Sequence, residues 1–379
     1  MKREVKDMNR SEILLWLKEE EKGRLEGLWY RGDTVRRENV GDEVHLRGLI
    51  EISNYCVRQC GYCGLRAGDK ELERYRMKEE EIMACVKEAE RYGYGTVVLQ
   101  SGEDDGIETE WLASMVHRIK AETPLAITLS MGERPDKDLE AWRKAGADRY
   151  LLRFETSDPD LYHLIHPAFP GRSIHRIEIL KRLRSMGYQI GSGVMIGIPG
   201  QTYESLAGDI ELFRELDLDM VGVGPYIPHP ETPVATGEWK FFIPDEDQVP
   251  NTEEMTYKVI ALTRMRCPEA NIPSTTALAT INRELGRELG LMRGANVVMP
   301  NLTPSKYRSL YEIYPSKACI RETAWECHSC LTHRIQSIGR RVGIGRGDRI
   351  HRIDSMGSLL VERKTRPKKE GFKDKGLLI

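Results

Sequence analysis

The chain of 379 residues contains no run of about 20 apolar residues, so no membrane-spanning helix is expected. Its opening stretch, MKREVKDMNRSEILLWLKEEEKGR, is charged throughout and lacks the apolar core of a secretory signal, which makes the cytoplasm the expected location. Net charge is nearly absent as well. The 57 Lys and Arg stand against 59 Asp and Glu, and the formal −2 gives no reason to expect a nucleic-acid partner. The balance is uneven, however: residues 340–379 hold 12 basic side chains against 5 acidic ones, so the basic character belongs to the tail alone. Within it, GRRVGIGRGDRIHR lacks a helical period, which argues against a basic amphipathic helix for nucleic acid or lipid. No repeat is visible beyond an alternation of strand-like and helix-like segments. A hydrophobic content of 40% is enough for a sizeable core and excludes wholesale disorder.

What the chain does have is clustered cysteine. Of its eight cysteines, Cys56, Cys60 and Cys63 fall within eight residues, and Cys319, Cys327 and Cys330 within twelve. Only Cys85 and Cys267 stand alone, on or at the end of predicted helices, where packing explains them. In a reducing compartment, clustered thiols point to metal or redox chemistry rather than to disulfides.

From Leu46 onward, short β-rich runs alternate with segments of helical period. The strand candidates are HLRGLIEIS, GTVVLQ, LAITLS, DRYLLR, YQIGSGVMIG, DMVGVGP, NIPSTT and ANVVMP. Apolar strands separated by amphipathic helices predict a parallel sheet covered by helices. Eight such units match a (β/α)8 TIM barrel, with a doubly wound open sheet as the alternative. The expected organisation is an N-terminal helical cap over 1–45, which would cover the bottom of the barrel and open at Asn9 or Ser11. A barrel over 46–315, a cysteine-bearing segment over 316–339 and a basic, partly flexible tail over 340–379 would follow. Residues 236–252 read as a long surface loop. In a barrel, functional groups sit at the C-terminal strand ends. Ser53 and Asn54, then Ser101 through Asp104, Ser130, Arg153 with Glu155, and Thr275 with Thr276 all fall there. Polar groups in those positions are better explained by a catalytic face than by core packing.

CVRQCGYC spaces its thiols by four and three residues. A closed zinc site needs a fourth ligand nearby, and within twenty residues on either side only His45 is available. Three thiolates on one loop can instead bind three irons of a 4Fe-4S cube and leave the fourth open. With an aromatic, Tyr62, before the last cysteine, this CX3CX2C pattern resembles the radical S-adenosylmethionine (SAM) superfamily. The resemblance implies that Cys56, Cys60 and Cys63 are catalytic cluster ligands and that SAM binds the open iron and is cleaved to a 5′-deoxyadenosyl radical. It also implies SAM contacts from Tyr62, from Gln100, Ser101, Gly102 and Glu103 in the second-strand region, and from Thr128 and Ser130 on the third strand. Glu155, Arg176, and Met195 and Ile198 in GVMIGIPGQT complete that set. The residues alone leave other readings open: Glu103 as a helix N-terminal acid, Arg176 as a surface charge, the Gly and Pro of GIPGQ as a tight turn.

Further motifs, among them VGDEVHLRGLIEISNYC, VVLQSGED, DMVGVGPYIPHPETP and GANVVMPNLTPSKYRSLYEIYP, resemble the HydE family of iron-iron hydrogenase maturases, over about residues 40 to 335. Biotin synthase and methylornithine synthase share the pattern less closely. CIRETAWECHSC resembles the CX7CX2C of family members with an auxiliary iron–sulfur cluster, which implies a second cluster, 2Fe-2S or 4Fe-4S, on Cys319, Cys327 and Cys330. From chemistry alone, those cysteines with His328 could also make a zinc site. The resemblance further implies a substrate site below SAM formed by Arg153, Thr275, Thr276, Met299 and Tyr311, although Met299 could simply pack. The implied substrate is a small iron–carbonyl–cyanide–cysteine precursor supplied by HydG, with transfer toward HydF and ferredoxin or flavodoxin as electron donor. A paralogue or a methylornithine synthase-like mutase acting on an amino-acid-derived substrate is one alternative; a non-catalytic iron–sulfur carrier is another. The chain departs from the HydE pattern at Phe154, in ALATINRELGRELGLMRGAN and in the insertion at 236–252.

Overall fold

The computed structural model describes residues 8–171, 175–320 and 322–349, so most of the expected basic tail lies outside the described residues. Among the described residues eight strands are formed: β1 (Glu43–Ser53), β2 (Thr96–Ser101), β3 (Ala126–Ser130), β4 (Arg149–Leu151), β5 (Gln189–Ile196), β6 (Met220–Pro225), β7 (Val297–Val298) and β8 (Arg341–Val342). Their order is β6-β5-β4-β3-β2-β1-β7, all parallel. Residues 271–274 join the two ends. Asn271 bridges Met220 and Pro273 bridges Val297, with Val221 N–H donating to Asn271 O and Ser274 N–H to Val297 O, each at 2.9 Å. The ring is therefore closed, which excludes the open doubly wound sheet. The expected seventh strand, NIPSTT, is present as this bridging segment, because Pro273 cannot donate to the ladder and a regular strand is interrupted there. β8 is not a barrel strand; it adds to the start of β1 through Glu43 and Val44.

The helices are α1 (Arg10–Leu17), α2 (Lys22–Val40), α3 (Glu79–Arg91), α4 (Thr109–Glu122), α5 (Asp136–Ala145), α6 (Pro159–Ile165) and α7 (Arg176–Ser185). They continue with α8 (Tyr203–Glu215), α9 (Pro233–Thr236), α10 (Glu253–Arg266), α11 (Thr276–Ile281), α12 (Gly286–Met292), α13 (Ser305–Arg308) and α14 (Ala324–Ser337). Asn9 caps α1 in a reciprocal capping box with Glu12. The N-terminal helices do not cover the bottom of the barrel. α1 packs on α8 and α10, and α2 runs along α10, which is consequently buried from Met255 through Met265.

The lower mouth is filled instead by residues 343–349. Thr96 Oγ1 donates to Arg346 O at 2.8 Å, and Arg149 donates to Arg346 O at 2.9 Å and to Asp348 at 2.5 Å. Arg47 and Asn271 both donate to Gly347 O, at 3.0 and 3.1 Å. The approach is so close that a Cβ on Gly95 would lie 1.6 Å from Gly345 O. This glycine-rich stretch is part of the barrel body, not of a loose tail.

Candidate functional site

The cysteine loop leaves β1 at Ser53 and returns at Arg76, which bridges back to Ser53. Asp104, past β2, fixes both ends: it accepts from Ser53 Oγ at 2.6 Å and takes both Arg76 donors at 2.7 Å. Bidentate geometry of this kind is the strong form of an ion pair. Inside the loop, Asn54 donates to Glu73 O and Leu310 O and accepts from Tyr75 N–H. Arg74 donates to the carbonyls of Asn54, Leu65, Arg66 and Asp69. A segment with no secondary structure thus has its backbone groups paired, and the three sulfurs are held in place. Two glycines permit the close packing. A Cβ on Gly102 would lie 2.2 Å from Tyr55 O, and one on Gly61 2.1 Å from the Trp239 ring.

Cys60 is buried, and Cys56 and Cys63 are half-buried. Burial pushes all three thiols up, Cys63 to about 12, so they stay protonated until a metal replaces the proton. No histidine lines the cavity beneath them, among the described residues. Three sulfurs facing a cavity suit a cluster with one open iron.

That cavity, of about 360 Å³, runs down the barrel axis. Its wall brings together Cys56, Cys60, Tyr62, Cys63, Gln100, Ser101, Gly102, Glu103, Thr128, Ser130, Glu155, Arg176 and Met195, and deeper Arg153, Thr275, Thr276 and Met299. Two expected residues are not on it. Tyr311 lies behind the wall, where its hydroxyl accepts from Gln100 Nε2 at 3.2 Å, and Tyr314 takes the lining position. Ile198 joins Leu161, Ile165, Met195, Tyr226 and Val234 in a small apolar cluster beside the wall.

Arg176 opens α7 but is no surface charge. It is buried, donating to Glu103 and to Glu133 at 2.8 Å each and to Arg153 O at 2.8 Å. Glu103 is thereby engaged across the cavity by Arg176, with Arg58 3.6 Å away, rather than capping a helix. Glu155 has a φ of +65°, a strained conformation for a residue with a side chain, and its carboxylate lies 3.1 Å from Arg153. Sequence reasoning named neither Arg58, Glu51 and Lys317, which line the cavity, nor Glu133 and His166, which contact Arg176 behind its wall. Arg58 sits inside the cysteine motif, and Glu133 and His166 follow β3 and β4, so their positions at the catalytic face were the available signal. Lys317 gave none; it reaches the fully buried Glu51 from the segment that carries Cys319.

The second cysteine group is only partly assembled. Cys327 and Cys330 lie one turn apart on α14, buried and exposed respectively, and Cys319 precedes the helix at a φ of +61°. Its thiol is lowered to about 6 by a hydrogen bond with Cys327, aided by Arg287, whose Nη2 lies 3.6 Å from the sulfur. His328 is turned away from a shared zinc: its ring stacks on Tyr92 at 4.8 Å and its Nδ1 meets Tyr94 OH at 3.1 Å. The expected surface loop over 236–252 is more than that. Trp239 covers Gly61, Phe241 packs near Gly200, and Gln248 accepts from Gly200 N–H at 2.9 Å, while Phe242 remains exposed.

No helix among the described residues is long and apolar enough to cross a membrane. The sequence profile of the radical SAM superfamily matches residues 50–213. The chain is 44% identical to the [FeFe] hydrogenase maturase subunit HydE of Thermotoga maritima, over 87% of this chain and 90% of that protein. It is 31% identical to 3-methylornithine synthase of Methanosarcina acetivorans, over 75% and 76%. In fold it is similar to the methylornithine synthase PylB, with a TM-score of 0.74 at 24% identity and coverage of 89% and 96%. The hydrogenase maturase HydG of Carboxydothermus hydrogenoformans gives a TM-score of 0.72 at 18% identity and coverage of 89% and 76%. With a closed barrel, a CX3CX2C loop at its catalytic face and this degree of identity, the chain belongs to the radical SAM superfamily of enzymes and, within it, to the HydE family.

Proposed function

We propose that the protein acts in the assembly of the [FeFe]-hydrogenase active site, as a SAM-cleaving enzyme whose substrate is a small iron–carbonyl–cyanide–cysteine precursor. The observation that carries this reading is the axial cavity, with the cysteine loop at one end and polar side chains of both charges below it. Cys56, Cys60 and Cys63 would ligate the 4Fe-4S cluster, and Glu103, Arg176 and Glu155 would orient SAM. When bound, the cluster and SAM supply a 5′-deoxyadenosyl radical by one-electron cleavage of the sulfonium. The chain's own part is to hold both in a chamber that excludes water and side reactions. Arg153, Thr275, Thr276 and Met299 would position the substrate deeper in the barrel, where Arg153 supplies a fork for a carboxylate.

HydG would deliver the precursor, HydF would receive the product, and ferredoxin or flavodoxin would supply the electron. Cys319, Cys327 and Cys330 would hold an auxiliary iron–sulfur cluster, a reading supported by their spacing and by the adjacency of Cys319 and Cys327. The decisive experiment is anaerobic reconstitution with iron and sulfide, followed by dithionite and SAM, then addition to HydG, HydF and apo-hydrogenase. 5′-Deoxyadenosine and hydrogenase activity are expected. Cleavage without hydrogenase activation would overturn the substrate, and absence of 5′-deoxyadenosine would overturn the enzyme reading altogether.

A further inference from the structure

His166, at the C-terminal end of α6, is buried, and its Nδ1 lies 2.9 Å from Cys60 Sγ. Its other nitrogen, Nε2, faces guanidinium groups: Arg58 Nη2 is in contact and Arg176 Nη2 is 3.2 Å away. Guanidinium groups only donate, so Nε2 must offer its lone pair. The opposite tautomer would press an N–H against two cations. Glu133 Oε1, 3.1 Å from Nε2, is already served by Arg176 Nε at 2.8 Å and Arg58 Nη2 at 3.2 Å. With its Nε2 lone pair committed to two donors, the neutral ring carries its one proton on the other nitrogen. That proton is left on Nδ1, directed at the sulfur.

The backbone supports this placement. His166 N–H donates to Tyr162 O at 2.8 Å, and Ile165 O accepts from Gly61 N–H of the cysteine loop at 2.9 Å. The end of α6 is thus tied to the loop at the main chain and again at the side chain. We propose that His166 is a positioning residue for the first cluster: it donates an N–H···S hydrogen bond to Cys60 and thereby makes that cluster easier to reduce. The physical reason is that the reduced cluster carries more negative charge on its sulfurs, and a fixed N–H dipole stabilises that charge preferentially. The proposal rests on the reading that Cys60 is a cluster ligand.

The test compares His166→Phe, which keeps the ring without the donor, with His166→Asn, which can return an N–H to the position of Nδ1. The readout is an EPR-monitored redox titration of the reconstituted full-length protein without SAM or substrate. At a fixed poise, His166→Phe is expected to lower the reduced-to-oxidised ratio about tenfold, which is 59 mV for one electron. His166→Asn is expected to recover most of that change. If His166→Phe fails to assemble a cluster while His166→Asn does so with a near-parental midpoint, the donor role stands. Unchanged potentials in both variants, or equal loss of iron in both, overturn it. Wild-type protein that shows the cluster signal but forms no 5′-deoxyadenosine would refute the proposed function and leave this inference intact.

Discussion

Lys317 and Glu51 form a buried ion pair at the cavity wall, with 8% and 0% of their side chains exposed. Asn301 also donates to Glu51 Oε2 at 2.8 Å, so the carboxylate is fully engaged. Removing one partner strands a charge in the barrel, at a cost of about 3–5 kcal/mol. Lys317→Met should therefore lower the unfolding free energy by that order in urea titrations, and adding Glu51→Gln should restore much of it. Additive losses in the double variant would show that the two groups are not coupled. At the cysteines the expectation is asymmetric. Cys56→Ala should abolish SAM cleavage in the reconstituted enzyme, whereas Cys327→Ala should leave it largely intact. Loss of 5′-deoxyadenosine in Cys327→Ala would make the second group essential to the chemistry.

Among the elements, α8 carries a buried acid. Asp209 accepts from Ser157 N–H at 2.6 Å, and burial raises its carboxyl to about 7. In the unfolded chain the same group ionises near 3.9. The folded state thus keeps a proton that the unfolded state releases, and the associated stability falls as pH rises from about 4 to about 7, then levels off. Asp209→Asn, the neutral isostere, should remove that slope and be more stable than the parent at pH 8 by a few kcal/mol. Parallel denaturant titrations at pH 5 and 8 check this; equal slopes for the two proteins would count against it. The elements also separate what the sequence disclosed from what it hid. The strands were legible because apolar runs of even length record burial on both faces of a parallel sheet. NIPSTT was legible as a strand by composition but not as a bridge, since Pro273 acts only through the ladder. The cysteine loop was legible from its spacing, and SGED from its resemblance to the family's second-strand motif. Arg176 was named only through the family resemblance and His166 not at all, because a charged or titratable residue near a helix end looks the same whether it faces solvent or a carboxylate across the barrel. Tyr311 and Tyr314 were exchanged for a similar reason: three residues along an irregular segment decide which ring meets the cavity, and no periodicity marks it.

At the scale of the molecule, the barrel is closed below by its own C-terminal stretch. Gly95→Ala would drive a Cβ into Gly345 O and unseat residues 343–349. Overpacking of this kind costs about 1–3 kcal/mol. The thermal midpoint should fall, and limited proteolysis should cut within 343–349, where the parent protein resists. An unchanged proteolytic pattern would mean that the stretch is not what closes the mouth. The N-terminal helices were misplaced in the sequence reading because amphipathicity reports that a helix has a buried face, not which surface covers it.

The filled lower mouth has a kinetic consequence. Arg47 lines the cavity and holds Gly347 O beneath it, so among the described residues a molecule at the bottom of the barrel has no exit on that side. Traffic must then use the upper opening, beside which the cysteine loop sits. If SAM sits beside the cysteine loop and the substrate below it, as proposed, a single doorway imposes an order of events: the substrate would enter before SAM and leave after the fragments of SAM have gone.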